Sequence, residues 1–433
     1  MFSLIVVLME VSVSDIKLYN PHLDGERFEV PERKRAQFEE VKKALRRGMI
    51  VGIVGLRRVG KTVMIKQVLN SLIDGGEEVF YFSFDEERYA NAETLNWIIN
   101  FALRRFDNPV VALDEVSRVK NWAGVVKKFY DSRRVRFIVS GSASLEITKG
   151  KESLAGRLYD LYMPPLQYPE YLEFIGEKAE EIELSLTDPE LSFLRWKPHY
   201  HLDDFLKRGG FPEIVREQDD VFTRRYILNN CIEKIVFEDL PRTLGVEHPN
   251  VLFRLWELAV SDPGLTFVPS NLQGTFGVSK DTLLKYAFYL EKAFLLKVIT
   301  KEGSPYSRLR KGRKLYPFTP SMAALPGGAS SGKLAEAAVF DRIYNGMGIE
   351  PRFYRDPRGW EVDFLIDGLA VEVKYRGEIT TEDLRGTLSY MRKAGAENGI
   401  VVTKDRMDVV EKGGRKIILV PLEMFLQIRK IVR

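Results

Sequence analysis

The sequence has one cysteine, Cys231, so no intramolecular disulfide can form and a thiolate metal cluster is excluded. Histidine is nearly as scarce. Two of the four, His199 and His201, stand together in a polar stretch that reads as loop or lid rather than as a zinc site. An excess of one charge is also missing. The 65 basic and 61 acidic side chains leave a net +4, which excludes a chain that coats nucleic acid over its whole surface. Any such surface has to be local. The apolar start, Phe2 to Leu8, is far short of the ~20 residues that a membrane helix requires. It has no basic flank and no small-residue cleavage site, so neither a membrane anchor nor a secretory signal is expected. Met9 is read as the natural start, with residues 1–8 otherwise an edge strand or ordered tail. The missing disulfides suit a reducing cytoplasm, and heavy use of Lys, Arg and Glu suits a thermophile.

What is present is ample core material. With 433 residues, 45% of them hydrophobic, the chain is expected to form two to four domains. A helical pattern from Pro31 to Arg47 leads into the apolar run Met49–Val54. Next comes Gly55-Leu56-Arg57-Arg58-Val59-Gly60-Lys61-Thr62, and then an amphipathic helix beginning at Val63. Strand, G-x-x-x-x-G-K-[ST], helix is the context of a phosphate-binding loop. The two glycines allow the turn and a close approach of the backbone, so that amide N–H groups face phosphates. Gly55 to Val63 are therefore assigned to ATP. Lys61 would meet the outer phosphates and the Thr62 hydroxyl would ligate Mg²⁺.

A second apolar run, Glu78–Phe84, and a third, Pro109–Leu113, follow; the third ends in Asp114-Glu115. At this distance from a phosphate loop, the pair suits a Mg²⁺-orienting Asp114 and a water-polarising Glu115. A fourth run, Val135–Val139, ends in Ser140-Gly141-Ser142, and Ser140 or Ser142 is the candidate sensor of the γ-phosphate. Alternating strands and helices predict a parallel sheet with its ligand at the strand C-termini.

These motifs together resemble an archaeal and bacterial family of AAA-type ATPases. Further elements match: Ser153 to Arg157, Pro165-Leu166, Gly209 to Glu213 and Asp239 to Arg242. The resemblance implies an α/β fold: a P-loop NTPase core (1–160), a helical lid or connector (161–250), a winged-helix module (251–330) and a PD-(D/E)XK-like domain (331–433). It also implies a role for Arg157 as arginine finger or sensor, against the alternative of a surface ion pair.

In the third segment, a short helix, the turn Gly277-Val278-Ser279 and a longer helix from Lys280 give helix-turn-helix spacing. Lys280 and Lys285 fall on its exposed side, and a basic wing follows with Lys301, Arg308, Arg310, Lys311, Arg313 and Lys314. Lys280, Lys285, Arg308, Arg310, Lys311 and Arg313 are the candidate DNA contacts.

In the fourth segment, Asp367-Gly368 between two alternating runs predicts a two-residue hairpin. Counting outward pairs Ile366 with Leu369, Leu365 with Ala370 and Phe364 with Val371, and sets Asp363 opposite Glu372. Facing carboxylates call for a cation, and Mg²⁺ or Mn²⁺ suits oxygen ligands. Asp363, Glu372 and Lys374 resemble the PD-(D/E)XK nuclease signature, and that resemblance adds Glu336 as a fourth member. Phe318-Thr319-Pro320 departs from it, since an aspartate commonly stands there. The sequence thus supports an ATPase acting on DNA, with metal-dependent cleavage as one reading. A nucleotide-dependent switch with an inactive nuclease-like domain is the rival. The sequence sets no oligomeric state.

Overall fold

The computed structural model describes residues 11–132, 135–141, 153–304, 312–325 and 328–433. The apolar start, Ser142, Arg308, Arg310 and Lys311 lie outside the described residues. The chain divides after Met163 into two units, Met1–Met163 and Pro164–Arg433.

The first unit is built on strands that bury both faces. β1 (Ile50–Val54), β2 (Val79–Ser83), β3 (Val110–Asp114), β4 (Arg136–Gly141) and β5 (Leu158–Tyr162) form one parallel sheet in the order β2-β3-β4-β1-β5. Continuous apolar runs such as Val110-Val111-Ala112-Leu113 are what a central parallel strand, covered by helices on both sides, requires. Four of these strands follow the sequence expectation. β5 is an addition that the apolar pattern did not signal, because Leu161 is its only buried residue. The β2 edge is closed by Asn20, whose side chain accepts from the Tyr81 amide at 2.7 Å and donates to the Tyr81 carbonyl at 2.9 Å. A side chain here satisfies an edge that a further strand would otherwise pair.

The second unit contains a mixed six-stranded sheet. Its strands are β10 (Arg352–Arg355), β11 (Glu361–Ile366), β12 (Leu369–Lys374), β13 (Asn398–Thr403), β15 (Arg415–Pro421) and β14 (Asp408–Lys412), in that spatial order. β11 and β12 form the expected hairpin in the expected register, with positive φ at Asp367 (49°) and Gly368 (85°). Between β10 and β11 the register slips, Phe353 alone facing Asp363 and Phe364, so a bulge falls at Asp363. Ahead of this sheet, helices Pro249–Ser261, Pro269–Phe276 and Lys280–Lys292 pack with a three-stranded antiparallel sheet. That sheet comprises β7 (Leu265–Phe267), β9 (Arg313–Pro317) and β8 (Leu296–Thr300), in this order.

The stretch 161–250, expected as a lid or connector, is a correction. Leu166, Tyr168, Tyr171, Leu172 and Phe205 share one core with Phe340, Phe364, Val371 and Phe425. β6 (Ile182–Ser185) pairs with β16 (Ile428–Val432), and the Tyr168 hydroxyl donates to Glu423 at 2.8 Å. Its first half is therefore built into the C-terminal domain, which apolar periodicity alone could not reveal.

The same core buries Asp341, whose Oδ1 accepts from Gln167 at 3.1 Å and Asn345 at 2.6 Å. Burial pushes this carboxyl up to about 7, although both hydrogen bonds pull the other way. A folded-state pKa above the unfolded value means that its stability contribution is complete at low pH and is lost as pH rises through the folded pKa. Asp341→Asn keeps the acceptor oxygen and cannot ionise. Relative to that variant, the wild type should lose about 1.4 kcal/mol per pH unit between pH ~4 and about 7, and no more above. Denaturant unfolding at pH 5, 6, 7 and 8 checks this; parallel curves for the two proteins would reject it.

Candidate nucleotide site and an acidic cluster filled by lysine

The loop after β1 owes its path to two glycines. A Cβ on Gly55 would fall 2.2 Å from the Met163 carbonyl oxygen, so only glycine fits. Gly60, at φ 94°, precedes helix Lys61–Asp74, whose N-terminus has no side-chain cap. Those first amide N–H groups are left for an anionic ligand. Lys61 is buried, and its ammonium donates to the Gly55 and Leu56 carbonyls at 2.9 and 3.0 Å. Arg58 stands exposed at φ 70°, Arg57 and Val63 are half-buried, and Leu56 and Val59 are buried. Arg35, absent from the sequence reading, is buried and donates to the Val59 carbonyl. A basic run, Arg33-Lys34-Arg35, gave no signal that one member turns inward.

Asp114, at the end of β3, is 2% exposed, and both of its oxygens accept hydrogen bonds. Oδ2 accepts from Thr62 Oγ1 at 2.6 Å and from the Tyr81 hydroxyl at 2.9 Å, and Oδ1 accepts from Ser140 Oγ. Ser140 Oγ in turn accepts from the Glu115 amide at 2.9 Å. Ser140 thus has its hydroxyl committed to holding Asp114 and Glu115. Glu115, at φ 51°, is a left-handed non-glycine residue at the tip where the strand turns. Tyr81 is a further residue that sequence reasoning missed, since it sits in an apolar run. Burial raises its phenol far above the ordinary range, reinforced by the adjacent Asp114 carboxylate, so it remains a donor. Phosphate groups and Mg²⁺ fit this arrangement: a glycine-shaped loop, uncapped amides, a lysine, and Thr62 beside Asp114.

Arg157 is not brought to this end. It precedes β5, its carbonyl accepts from the Ile50 amide at the start of β1, and its guanidinium pairs with Asp131 at 2.8 Å. The loop leaves the other end of β1, so the two stand at opposite ends of the strands. The ion-pair alternative describes this position.

The second cluster lies in the second unit. Glu336 projects from helix Ser331–Asp341 and accepts from the Tyr316 hydroxyl at 2.6 Å and from Lys333 at 3.1 Å. Asp363 accepts from the Val373 amide at 2.9 Å. Glu372 is held by the amide and hydroxyl of Thr387, and by Lys374 at 2.7 Å. Between Glu336 and Asp363 stands the ammonium of Lys314, at 3.7 and 3.6 Å, in contact with Glu361 as well. Burial pulls Lys314 down, but Asp363, Glu336 and Glu361 outweigh it and hold the group above its ordinary range, fully charged.

This corrects the sequence reading, which set Lys314 in an exposed basic wing. Strand alternation in β9 turns it inward instead, at 2% exposure. The residues expected to hold a metal here are Glu336, Asp363 and Glu372. Each already has its partners, and among the described residues no group of three His, Cys, Asp or Glu side chains is set to hold a metal ion. The residues do not fit a divalent cation. Of the candidate DNA contacts, Lys280 and Lys285 are exposed on helix Lys280–Lys292 and Arg313 is half-buried at the start of β9.

Comparison with known proteins bears on these regions separately. Residues 47–172 match the AAA domain family. Residues 199–325 and 331–425 match two domains of unknown function, DUF8612 and DUF4143. The AAA match thus covers the glycine loop, Asp114-Glu115 and Ser140 of the first unit and runs a few residues past its end. Two relatives come from Methanocaldococcus jannaschii. Uncharacterized protein MJ1544 is 26% identical over 84% of this chain and 82% of its own length. Uncharacterized protein MJ1637 is 24% identical over 61% of this chain and 60% of its own length. Among solved structures, AMPPCP-bound DnaA from Aquifex aeolicus aligns at 13% identity over 61% of this chain and 89% of that chain, with a TM-score of 0.30. Drosophila ORC bound to AT-rich DNA and Cdc6 aligns at 10% identity over 65% and 86%, with a TM-score of 0.23. Among the described residues no helix is long and apolar enough to cross a membrane.

Tyr81→Phe removes one of three donors to Asp114 without changing the packing volume. It should weaken Mg²⁺-dependent nucleotide binding by roughly 1.5–3 kcal/mol, the usual worth of a hydrogen bond to a charged group. Titration with a fluorescent ATP analogue, with and without Mg²⁺, measures this. Unchanged affinity would remove Tyr81 from the site.

Proposed function

We propose that this protein hydrolyses ATP and uses its nucleotide state to control a DNA-binding module, with a C-terminal domain that does not cut. The observation that carries the ATPase reading is the bonded set Thr62–Asp114–Ser140–Glu115 beneath the glycine loop. In this reading the amides of residues 56–63 and the Lys61 ammonium bind the phosphates. Thr62 and Asp114 would hold Mg²⁺, which would supply neutralising charge at the phosphates. Glu115 accepts a proton from the attacking water. Ser140 and Tyr81 position Asp114 and leave nucleotide contact to the loop. Arg157 has no part at its own chain's nucleotide.

The DNA reading rests on the second unit's three helices and three-stranded sheet, which have winged-helix-like order, and on exposed Lys280 and Lys285. Arg308, Arg310, Lys311 and Arg313 form a second basic stretch further along the sequence. The near-neutral total charge agrees with a local footprint. Metal-dependent cleavage by Asp363, Glu372 and Lys374 is the second reading, favoured by the order of those residues and opposed by Lys314.

Lys61→Ala should lower ATP turnover at least about 100-fold, as expected when charge stabilisation of the transferring phosphoryl group is lost. Glu115→Gln should keep binding and lose turnover. Equal turnover in wild type and Lys61→Ala would reject the assignment. For DNA, the double variant Lys280→Ala/Lys285→Ala should bind duplex more weakly and flatten the salt dependence by about one log-log unit per lost phosphate contact. An unchanged salt slope, read by fluorescence anisotropy, would exclude this helix. Plasmid incubated with protein and Mg²⁺ or Mn²⁺ should stay intact; nicking that Asp363→Ala abolishes would establish the nuclease reading.

A further inference from the structure

The acidic cluster of the C-terminal domain has the residue types of a metal-dependent nuclease, yet its electrostatics are already settled. Four carboxylates, Glu336, Glu361, Asp363 and Glu372, face four cationic side chains, Lys314, Lys333, Arg355 and Lys374. Lys333 also reaches Asp262 at the rim, at 3.4 Å. The cluster is therefore close to neutral, and Glu336 and Glu372 are themselves buried. A dication added to it would leave uncompensated positive charge in a poorly solvated place, where such charge is most costly.

The cation at the centre comes from outside the nuclease-like sheet. Lys314 belongs to β9, the middle strand of the three-stranded sheet, and Tyr316 two residues on donates to the same Glu336. The turn before β7 sits on this carboxylate too: a Cβ on Gly264, at φ 82°, would fall 2.2 Å from Glu336 Oε1. Three points of one small module thus close over one acidic pair.

We propose that Lys314 is the resident cation of this cluster: it takes the place between Glu336 and Asp363 that a nuclease would give to Mg²⁺ or Mn²⁺, and so locks the three-stranded sheet onto a metal-free C-terminal domain. The lysine makes the domain an anchor for the preceding module. The inference does not depend on the ATPase reading, and its test separates the two.

Full-length, nucleotide-free protein is titrated with Mn²⁺ and bound ion is counted by electron paramagnetic resonance. Wild type and Asp363→Asn should bind the same number of ions. Asp114→Asn identifies any ion held at the phosphate loop. A Mn²⁺ equivalent present in wild type and missing from Asp363→Asn, but retained in Asp114→Asn, would overturn the proposal. The lock is tested by hydrogen exchange in Lys314→Met. Amides of β7, β8 and β9 should exchange at least ten-fold faster, while those of β1 and β3 keep their wild-type rates. Unchanged protection of β7–β9 would overturn the lock. Should Lys314→Met fail to fold, Glu361→Gln weakens the same seat more gently and should accelerate the same strands.

Discussion

Taking an ammonium group out of water costs several kcal/mol unless opposite charges receive it, and the second unit is arranged around receiving Lys314. The strand that carries it, the helix that carries Glu336 and the hairpin that carries Glu361 and Asp363 come from widely separated stretches of chain. None of these positions is optional once the charge is inside. Removing either side would leave a buried ion without its partner, the more damaging way to break such a pair. Aromatic packing fits around this polar centre: Tyr316 stacks on Phe340 with ring centroids 4.8 Å apart, and Phe364 lies 5.3 Å from Tyr316. Polar and apolar contacts thus fix the same register.

The first unit meets the same constraint on a smaller scale. Asp114 ends a fully buried strand and is surrounded by donors: a threonine from the loop helix, a tyrosine from one neighbouring strand and a serine from the other. A carboxylate held this way keeps one orientation, which is what a metal-orienting group requires. Ser140 ties Asp114 to the Glu115 amide, so the two acidic residues are oriented through one hydroxyl.

Legibility in the sequence followed the range of the physics involved. The glycine loop, the strand before it and Asp114-Glu115 could be read because local chemistry determines them: backbone freedom, apolar runs and strand ends. The hairpin at Asp367-Gly368 was readable for the same reason, down to its register. Tyr81 and Arg35 were hidden, because an aromatic in an apolar run and an arginine in a basic run look like ordinary core and surface. Lys314 misled for a sharper reason. Its neighbours in sequence are basic, whereas its partners lie 22, 47 and 49 positions away in the chain, at Glu336, Glu361 and Asp363. Only tertiary pairing could show that one lysine in the cluster points the other way. The stretch 161–250 misled likewise, since its helical pattern says nothing about which core it joins.

The pairing of β6 with β16 bears on how the chain is made. Arg429 reaches Glu183 across 246 positions, and Leu184 is fully buried beside the returning strand. During synthesis the parallel sheet of the first unit is complete once Tyr162 has emerged, so that unit can close early and locally. The segment at 182–185 emerges soon afterwards and then waits, unpaired, for almost the whole of the remaining chain. Long-range closure of this kind is slow and leaves an open edge exposed in the interval. The acidic and polar residues around it, Glu181, Glu183 and Ser185, are the side chains that keep such an edge soluble.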